Sequence, residues 1–387
     1  MSARDPGPIA RVLLNDRVLL RRPTGVGHYT RELLDALRAE HVEVHAVVSD
    51  RLPMRRPPRE TARPSSAEGS IRVGRAERLL GAVRPLLEGA YRLAFRASAR
   101  RCDLYHEPNH IPIACDLPTV TTIHDLSVLL HPEWHPESRV RWYERHFARG
   151  LRQTRRFLAT SEHTRQEMVR HLGLSPSQID VTHPAPRREF EPQPAAAIHA
   201  LRRRLGLPER FFLYAGSLEP RKNLEGALEA FAALPSALRR EHPLVLAGGG
   251  GWRMETLPET ISRLAIGPQI RRLGYVSDSV LAGLYSGCTA LVWPSLYEGF
   301  GLPPLEAMAC GAPVIASRAS SLPEVVADAG VLLDPRDVPA WTDAMRRMAE
   351  DEAWRGQWRE RGPARAAGFS WPRCARQTIE CYRAARA

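Results

Sequence analysis

Residues 290–317 read ALVWPSLYEGFGLPPLEAMACGAPVIAS. Two short apolar runs, ALVW and PVIAS, bracket a glycine- and proline-rich turn and a short helical stretch, predicted over 303–310. Strand, helix, strand is the unit of a parallel sheet, and continuous apolar runs are those of strands buried on both faces. Pro303 or Pro304 begins the helix, a position where a missing N–H costs nothing. Glu298 and Glu306 lie in and after the turn with seven residues between them.

The same alternation extends outward. Upstream stand strand FFLYAG, helix NLEGALEAFAAL, strand LVLAGG, a helix around 253–265, strand RRLGYV and a helix over 278–287. With ALVWP and PVIAS, the second half reads as a complete doubly wound domain, five of whose six expected strands are these runs. Ahead of it, PAPRREFEPQPAAA (184–197) has four prolines and no period, which marks a linker at 186–197. In the first half, RVLLND and RVLLRR flank the glycine loop Thr24-Gly25-Val26-Gly27, followed by helix HYTRELLDALRAE and buried strand VEVHAVVSD. A Pro-, Arg- and Ser-rich loop (51–70) comes next. Strands are predicted at 103–106, 119–123, 157–160 and 179–182, and helices at 138–151 and 162–172. The expected division is a first α/β domain over 1–185, the linker, a second over 198–368, and a final amphipathic helix over 369–387. Ligands of such sheets bind beyond the carboxyl ends of the strands, so two facing sheets enclose a cleft.

Composition agrees. A chain of 387 residues exceeds what one core serves, and 43% apolar with 25% charged residues is a globular balance. Disorder, a collagen-like chain and a disulfide scaffold are excluded as descriptions of the whole. The six cysteines (Cys102, Cys115, Cys288, Cys310, Cys374, Cys381) form no C-x-x-C pair or zinc spacing, and MSARDPGPIARVLLND lacks an apolar signal core. Reduced thiols in a cytoplasmic protein are expected, with no run long enough to cross a bilayer. The net charge is +12 from 55 basic and 43 acidic residues, and Lys222 is the single lysine. Arginine elsewhere reads as background, so the exception asks for a local reason.

Four strand ends carry candidate chemistry. Gly25-x-Gly27 precedes a helix, where backbone N–H groups attract an anion. It lacks the third glycine of a dinucleotide fingerprint, and no P-loop occurs, which argues against NAD binding or ATP hydrolysis. Gly216-Ser217-Leu218-Glu219-Pro220-Arg221-Lys222-Asn223 follows strand FFLYA. Adjacent cations at a helix start oppose the macrodipole, so they favour a bound diphosphate over a merely solvated pair. Glu298 and Glu306, if both face the cleft, are acceptor-only groups that would hold vicinal hydroxyls. The plainer alternative is a surface-loop carboxylate and a helix-start charge. His124-Asp125 ends strand TVTTI, with His106, Asn109 and His110 (HEPNH) closing its neighbour. Histidine there would donate to a substrate oxygen or move a proton. His131 and His135 add no spacing that fits a metal site.

These motifs, with TTIHDLSVLLHPEWHP, ATSEHTRQEM and FSWPRCA, resemble glycosyltransferase family 4, retaining nucleotide-sugar enzymes of the GT-B fold. The E-x7-E pair is the most specific element, and the resemblance spans nearly the whole chain. It implies two Rossmann-like domains facing across a cleft, with the C-terminal helix returning to the first. It implies that Glu306 binds ribose and that Glu298, with the backbone at Phe300, Gly301 and Leu302, binds the transferred sugar. Arg221 and Lys222 would neutralise the leaving diphosphate, beside Gly216 and Ser217. Gly274 and Val276 would border the base, Gly25 and Gly27 the phosphates, and His124 the sugar, with His106, Asn109, His110 and Asp125 on the acceptor side. Many relatives carry arginine where this chain has Ser217. Same-face attack without a covalent nucleophile is expected, with no cofactor and no metal, in keeping with the absence of a D-x-D triplet. Resemblance to bacterial mannosyltransferases of surface polysaccharide makes GDP-mannose the first donor to test and a glycan or lipid-linked hydroxyl the acceptor. A UDP-sugar enzyme, a GT-B epimerase and a catalytically silent sugar-binding scaffold are the alternatives.

Residues 72–101 carry eight arginines beside Leu79, Leu80, Val83, Leu86, Leu87, Leu93 and Phe95. Such a segment suits an anionic membrane surface, and equally a solvated arginine face over a core. Nucleic acid is not expected, since no helix-turn-helix, RRM or finger pattern accompanies the basic charge. A cytoplasmic protein lying peripherally on the inner face of the plasma membrane is the resulting expectation, with the oligomeric state open.

Overall fold

The computed structural model describes residues 11–20, 25–50, 89–249 and 256–387. Among them, β1 (Val12–Leu14), β2 (Val44–Ala46), β3 (Leu104–Glu107), β4 (Thr119–Ile123), β5 (Thr154–Ala159) and β6 (Ile179–Val181) form one sheet, ordered β2-β1-β3-β4-β5-β6. A second contains β7 (Phe212–Ala215), β8 (Leu244–Ala247), β9 (Ile270–Gly274), β10 (Ala290–Trp293), β11 (Val314–Ser317) and β12 (Val331–Leu333), ordered β12-β11-β10-β7-β8-β9. All the strand pairs are parallel. Apart from the edge strand β12 and the outer parts of β5, β6 and β9, the strands are almost wholly buried, as their continuous apolar runs require. Strand order reverses between β1 and β3 and again between β7 and β10, and the loops leaving those strands supply the site.

Some local expectations change. RVLLRR contributes a 3-10 turn, Arg17–Leu20. The run VEVHAVVSD gives only three residues of strand, because two aspartates capture backbone donors and roll the chain. Asp16 accepts from Val48 and Ser49 N–H at 2.9 and 2.6 Å, and Asp50 accepts from Ala46 N–H at 2.8 Å. The helix Ala195–Leu205 begins inside the expected linker, since the alanines after Pro194 are strong helix formers. The sixth strand of the second sheet is β12, an edge strand with too weak a pattern to single out.

The closing helix Trp371–Arg386 packs on the first sheet. Trp371, Cys374, Ile379 and Tyr382 share a core with Val12, Leu14, Leu33, Leu104 and Val120. All six cysteines are free thiols. Of the segment 72–101, the described residues start at 89, where Tyr91 and Phe95 pack against Leu13 and Tyr105 while Leu93 is exposed. Residues 72–88 lie outside the described residues. Among the described residues no helix is long and apolar enough to cross a membrane.

Candidate active site

In the second domain, Gly216 follows β7 and the chain turns through Pro220–Lys222 into helix Leu224–Ala233. Lys222 is 6% exposed, which removes the solvated-pair alternative. Its Nζ donates to both Glu298 oxygens at 2.6 and 2.7 Å. Trp293 Nε1 donates to Glu298 Oε1 at 3.0 Å and Arg221 Nη1 to Oε2 at 3.3 Å. Arg221 Nε also reaches Glu219 Oε2 at 2.9 Å, and Ser217 Oγ donates to Glu219 Oε1 at 2.5 Å. Burial lowers the Lys222 pKa, with Arg221 adding to the effect and Glu298 opposing it. Burial would raise Glu219, but Arg221 and Lys222 more than offset it and hold the carboxyl below its usual range. The two cations are thus met internally by carboxylates.

Helix Leu302–Ala309 starts after Gly301, whose φ of 115° lies where a Cβ is strained. Leu302 is half-buried at its first position, and Ser321 Oγ clamps the loop by donating to the Glu298 and Phe300 carbonyls at 2.9 and 2.7 Å. Glu306, 3% exposed, is the fifth residue of the helix, so it is an inward-facing group and not the helix-start charge of the plainer reading. Its two oxygens take Arg187 Nε at 2.7 Å and Nη2 at 3.0 Å. Arg187 Nη1 also meets Asp278 at 2.7 Å and the His28 ring at 3.1 Å. Gly274 ends β9, Val276 packs partly buried on the second core, and Tyr275 between them is 60% exposed.

The first domain closes against this loop. His124 follows β4; its Nε2 bonds the Pro108 carbonyl at 2.8 Å and the Tyr29 ring lies edge-on at 4.8 Å. Gly299 touches its backbone: a Cβ there would fall 1.9 Å from the His124 carbonyl oxygen. The Gly299 carbonyl accepts from Thr160, Ser161 and Thr164 hydroxyls at 3.3, 2.7 and 3.2 Å. Asp125 accepts from Ser127 N–H and Oγ at 2.9 and 2.6 Å. Although burial would raise its pKa, Arg221 and then His110 bring the net shift down.

Two expectations on this side are corrected. His106 is fully buried, with Nδ1 2.6 Å from Tyr382 Oη and Nε2 2.8 Å from Thr122 Oγ1, so it is a core residue with no nitrogen left for an acceptor. Gly25 and Gly27 lie within the first turn of helix Gly25–Ala39 and not in a loop before it. Asn109 is exposed, and His110 is held by Tyr143 Oη at 2.9 Å. Among the described residues no group of His, Cys, Asp and Glu is arranged to hold a metal ion.

Sequence reading missed four groups here: His28, Arg187, Glu219 and Glu107. Glu107 ends β3 and is 2% exposed, accepting from Asn15 at 2.5 Å, Tyr105 at 2.6 Å and Asn109 N–H at 3.0 Å. Burial pushes its carboxyl up to about 7. Arg187 had no local signal among so many arginines, while Glu219 and Glu107 sat inside motifs already in view.

Comparison with known proteins finds family matches in both halves of the chain. The model of "Glycosyltransferase Family 4" matches residues 23–186 and that of "Glycosyl transferases group 1" residues 199–365. The chain is 36% identical over 376 residues to O-antigen chain mannosyltransferase B of Escherichia coli, covering 93% of this chain and 96% of that one. It is 34% identical over 277 residues to the serotype-specific mannosyltransferase WbdA of E. coli, covering 68% of this chain and 33% of that longer relative. Among solved structures, Anabaena HepE in complex with UDP and glucose superposes with a TM-score of 0.68 at 18% identity, covering 96% and 98% of the two chains. WaaG, a glycosyltransferase involved in lipopolysaccharide biosynthesis, gives 0.67 at 17% identity over 95% and 98%. With two parallel six-stranded sheets and a buried cation–carboxylate cluster where the loops after β7 and β10 meet, the chain belongs to glycosyltransferase family 4 and is a glycosyltransferase of the GT-B fold.

Proposed function

We propose that the protein transfers a hexose, with retention, from a nucleotide sugar to a hydroxyl of a glycan or lipid-linked acceptor in surface polysaccharide synthesis. GDP-mannose is the donor of first choice, in line with the mannosyltransferases to which the chain is similar. The observation that carries the reading is the buried Lys222–Glu298–Arg221 cluster, set where the strand order of the second sheet reverses and against His124 of the first. A diphosphate arriving there exchanges one anionic partner of the cations for another, leaving Glu298 to accept from sugar hydroxyls. Glu306 takes the ribose, and Val276 and Gly274 border the base. The helix start at Gly25 and Gly27 faces the phosphates.

Glu298 has cations or an indole N–H on both oxygens, which makes it a weak nucleophile. The reading is therefore same-face substitution. The bond from the sugar's anomeric carbon to the diphosphate breaks, the leaving phosphate takes the acceptor proton, and the new glycosidic bond forms on the face that was vacated. Arg221 and Lys222 hold the charge that develops, so no metal is required. The reaction runs in the cytoplasm, with the first domain against the membrane.

Thermal-shift titration with GDP, UDP, ADP and their sugars tests the donor, because a ligand of the folded state raises its stability in proportion to RT ln(1 + [L]/Kd). NMR of the glycoside formed reads the anomeric configuration. Binding of none of these nucleotides would favour a silent scaffold. A UDP-sugar donor is the second reading, favoured by the UDP bound to the structural neighbour HepE.

A further inference from the structure

The Glu306 carboxylate sits 119 residues from Arg187 in sequence, and the two form a parallel two-bond fork. We propose that Arg187 is a positioning residue for donor binding: its guanidinium fixes the Glu306 carboxylate as an ionised, correctly turned acceptor for the two vicinal hydroxyls of the donor ribose. The proposal rests on the reading that Glu306 takes the ribose.

The geometry supplies the argument. A carboxylate offers about four lone-pair directions, two on each oxygen. A fork uses one on each, leaving one on each oxygen for a vicinal diol. The carboxylate must be charged to accept twice, and at 3% exposure its environment disfavours the charge. Burial does raise the Glu306 carboxyl, and Arg187 is the largest influence bringing it back. The other groups around it are Asp278 and Glu189, which raise it further, the buried Tyr285 hydroxyl and Cys310 thiol, both kept neutral by burial, and His28 on the far side of Arg187. His28 is itself kept neutral, its pKa lowered to about 4 by burial and then by Arg187, so it adds no positive charge.

Arg187 is in turn immobilised. Asp278 takes Nη1 at 2.7 Å and the Phe190 ring lies under the guanidinium at 4.4 Å. The buried Tyr285 hydroxyl lies within electrostatic reach of the pair and has no hydrogen-bond partner among the described residues. A ribose hydroxyl entering beside Glu306 would give it one. Lysine in place of Arg187 would supply the charge without the fork.

The test measures binding of GDP, UDP and ADP, each against its 2′-deoxy counterpart, across the pH range in which the protein stays folded, since burial raises the Glu306 carboxyl. Wild type is compared with Arg187→Gln, Arg187→Lys and Glu306→Gln. Arg187→Gln should weaken the ribonucleotide by about tenfold or more near pH 7. The loss should shrink as pH rises and Glu306 ionises unaided, and the deoxynucleotide should lose less. Arg187→Lys should show a smaller loss with little pH dependence, and it carries the test if Arg187→Gln fails to fold. Unchanged or tighter ribonucleotide binding in the Arg187 variants, at every pH, would overturn the proposal by making Arg187 a bystander or an internal competitor. Glu306→Gln is the separate control: if it leaves the ribose preference intact, or wild type binds none of the nucleotides, the ribose reading of Glu306 fails first.

Discussion

The Lys222 ammonium contacts both oxygens of Glu298, 76 residues further along the chain, and 4.9 Å from it lies the Trp293 ring, whose N–H binds the same carboxylate. The one lysine of the chain therefore occupies the loop after β7 and meets the loop after β10, two strands that are neighbours only because the sheet order reverses between them. The ammonium is a compact, strongly hydrated charge, and here it reaches both carboxylate oxygens and the indole face at once.

Because the pair is buried, removing one partner leaves an uncompensated charge. Lys222→Ala is expected to abolish transfer and also to cost ~3–5 kcal/mol of stability. Lys222→Met with Glu298→Gln should recover much of the stability and none of the activity. Urea unfolding and transfer assays check both, and a single mutant as stable as wild type would place the pair in solvent.

Gly299→Ala would drive a methyl into the His124 backbone, since 1.9 Å to the carbonyl oxygen leaves no room between the domains. The transfer rate should drop by ~100-fold, as displacements near 1 Å do at reacting centres. Folding of the separate cores should be nearly unaffected, and a wild-type kcat/KM would show that this contact is not needed in the working state.

Glu107 gives a pH signature. Its folded pKa, about 7, lies above the ordinary 4.5 of a glutamate, so the folded state holds the proton more tightly. The stability it contributes is full below about pH 4.5 and falls by ~1.4 kcal/mol per unit until about pH 7. The stability of wild type relative to Glu107→Gln should fall accordingly, by ~3 kcal/mol over that range. A difference that stays flat or grows would contradict the raised value.

Transfer should persist in excess EDTA if, as proposed, Arg221 and Lys222 take the charge role that a divalent cation has in other transferases. Activity lost to the chelator and restored by Mg²⁺ would overturn that part of the mechanism.

Anionic vesicles should sediment the protein at low salt and release it as salt rises, with neutral vesicles inert. The exposed Leu93 beside Arg92 and Arg96 is the described part of the surface expected to take part. Absence of sedimentation at low salt would remove peripheral attachment from the functional reading.

Apolar runs, turn residues and spacings were enough to read the two α/β halves, the strand–turn–helix of 290–317 and the family, and to single out Lys222, Glu298 and Glu306 as candidates. Those signals are local: apolar runs, turn residues and fixed spacings follow from what a strand or a helix start requires. Which side chains share a carboxylate, by contrast, came only with the packing of the folded chain. His106 looked like His110 and His124 in the chain, and one register of packing put both its nitrogens into the core. Arg187 was one arginine in a proline-rich stretch until folding set it against Glu306 and His28, one group from each domain. Ion pairs of that kind depend on burial and on partners more than a hundred residues away, and neither leaves a period in the sequence.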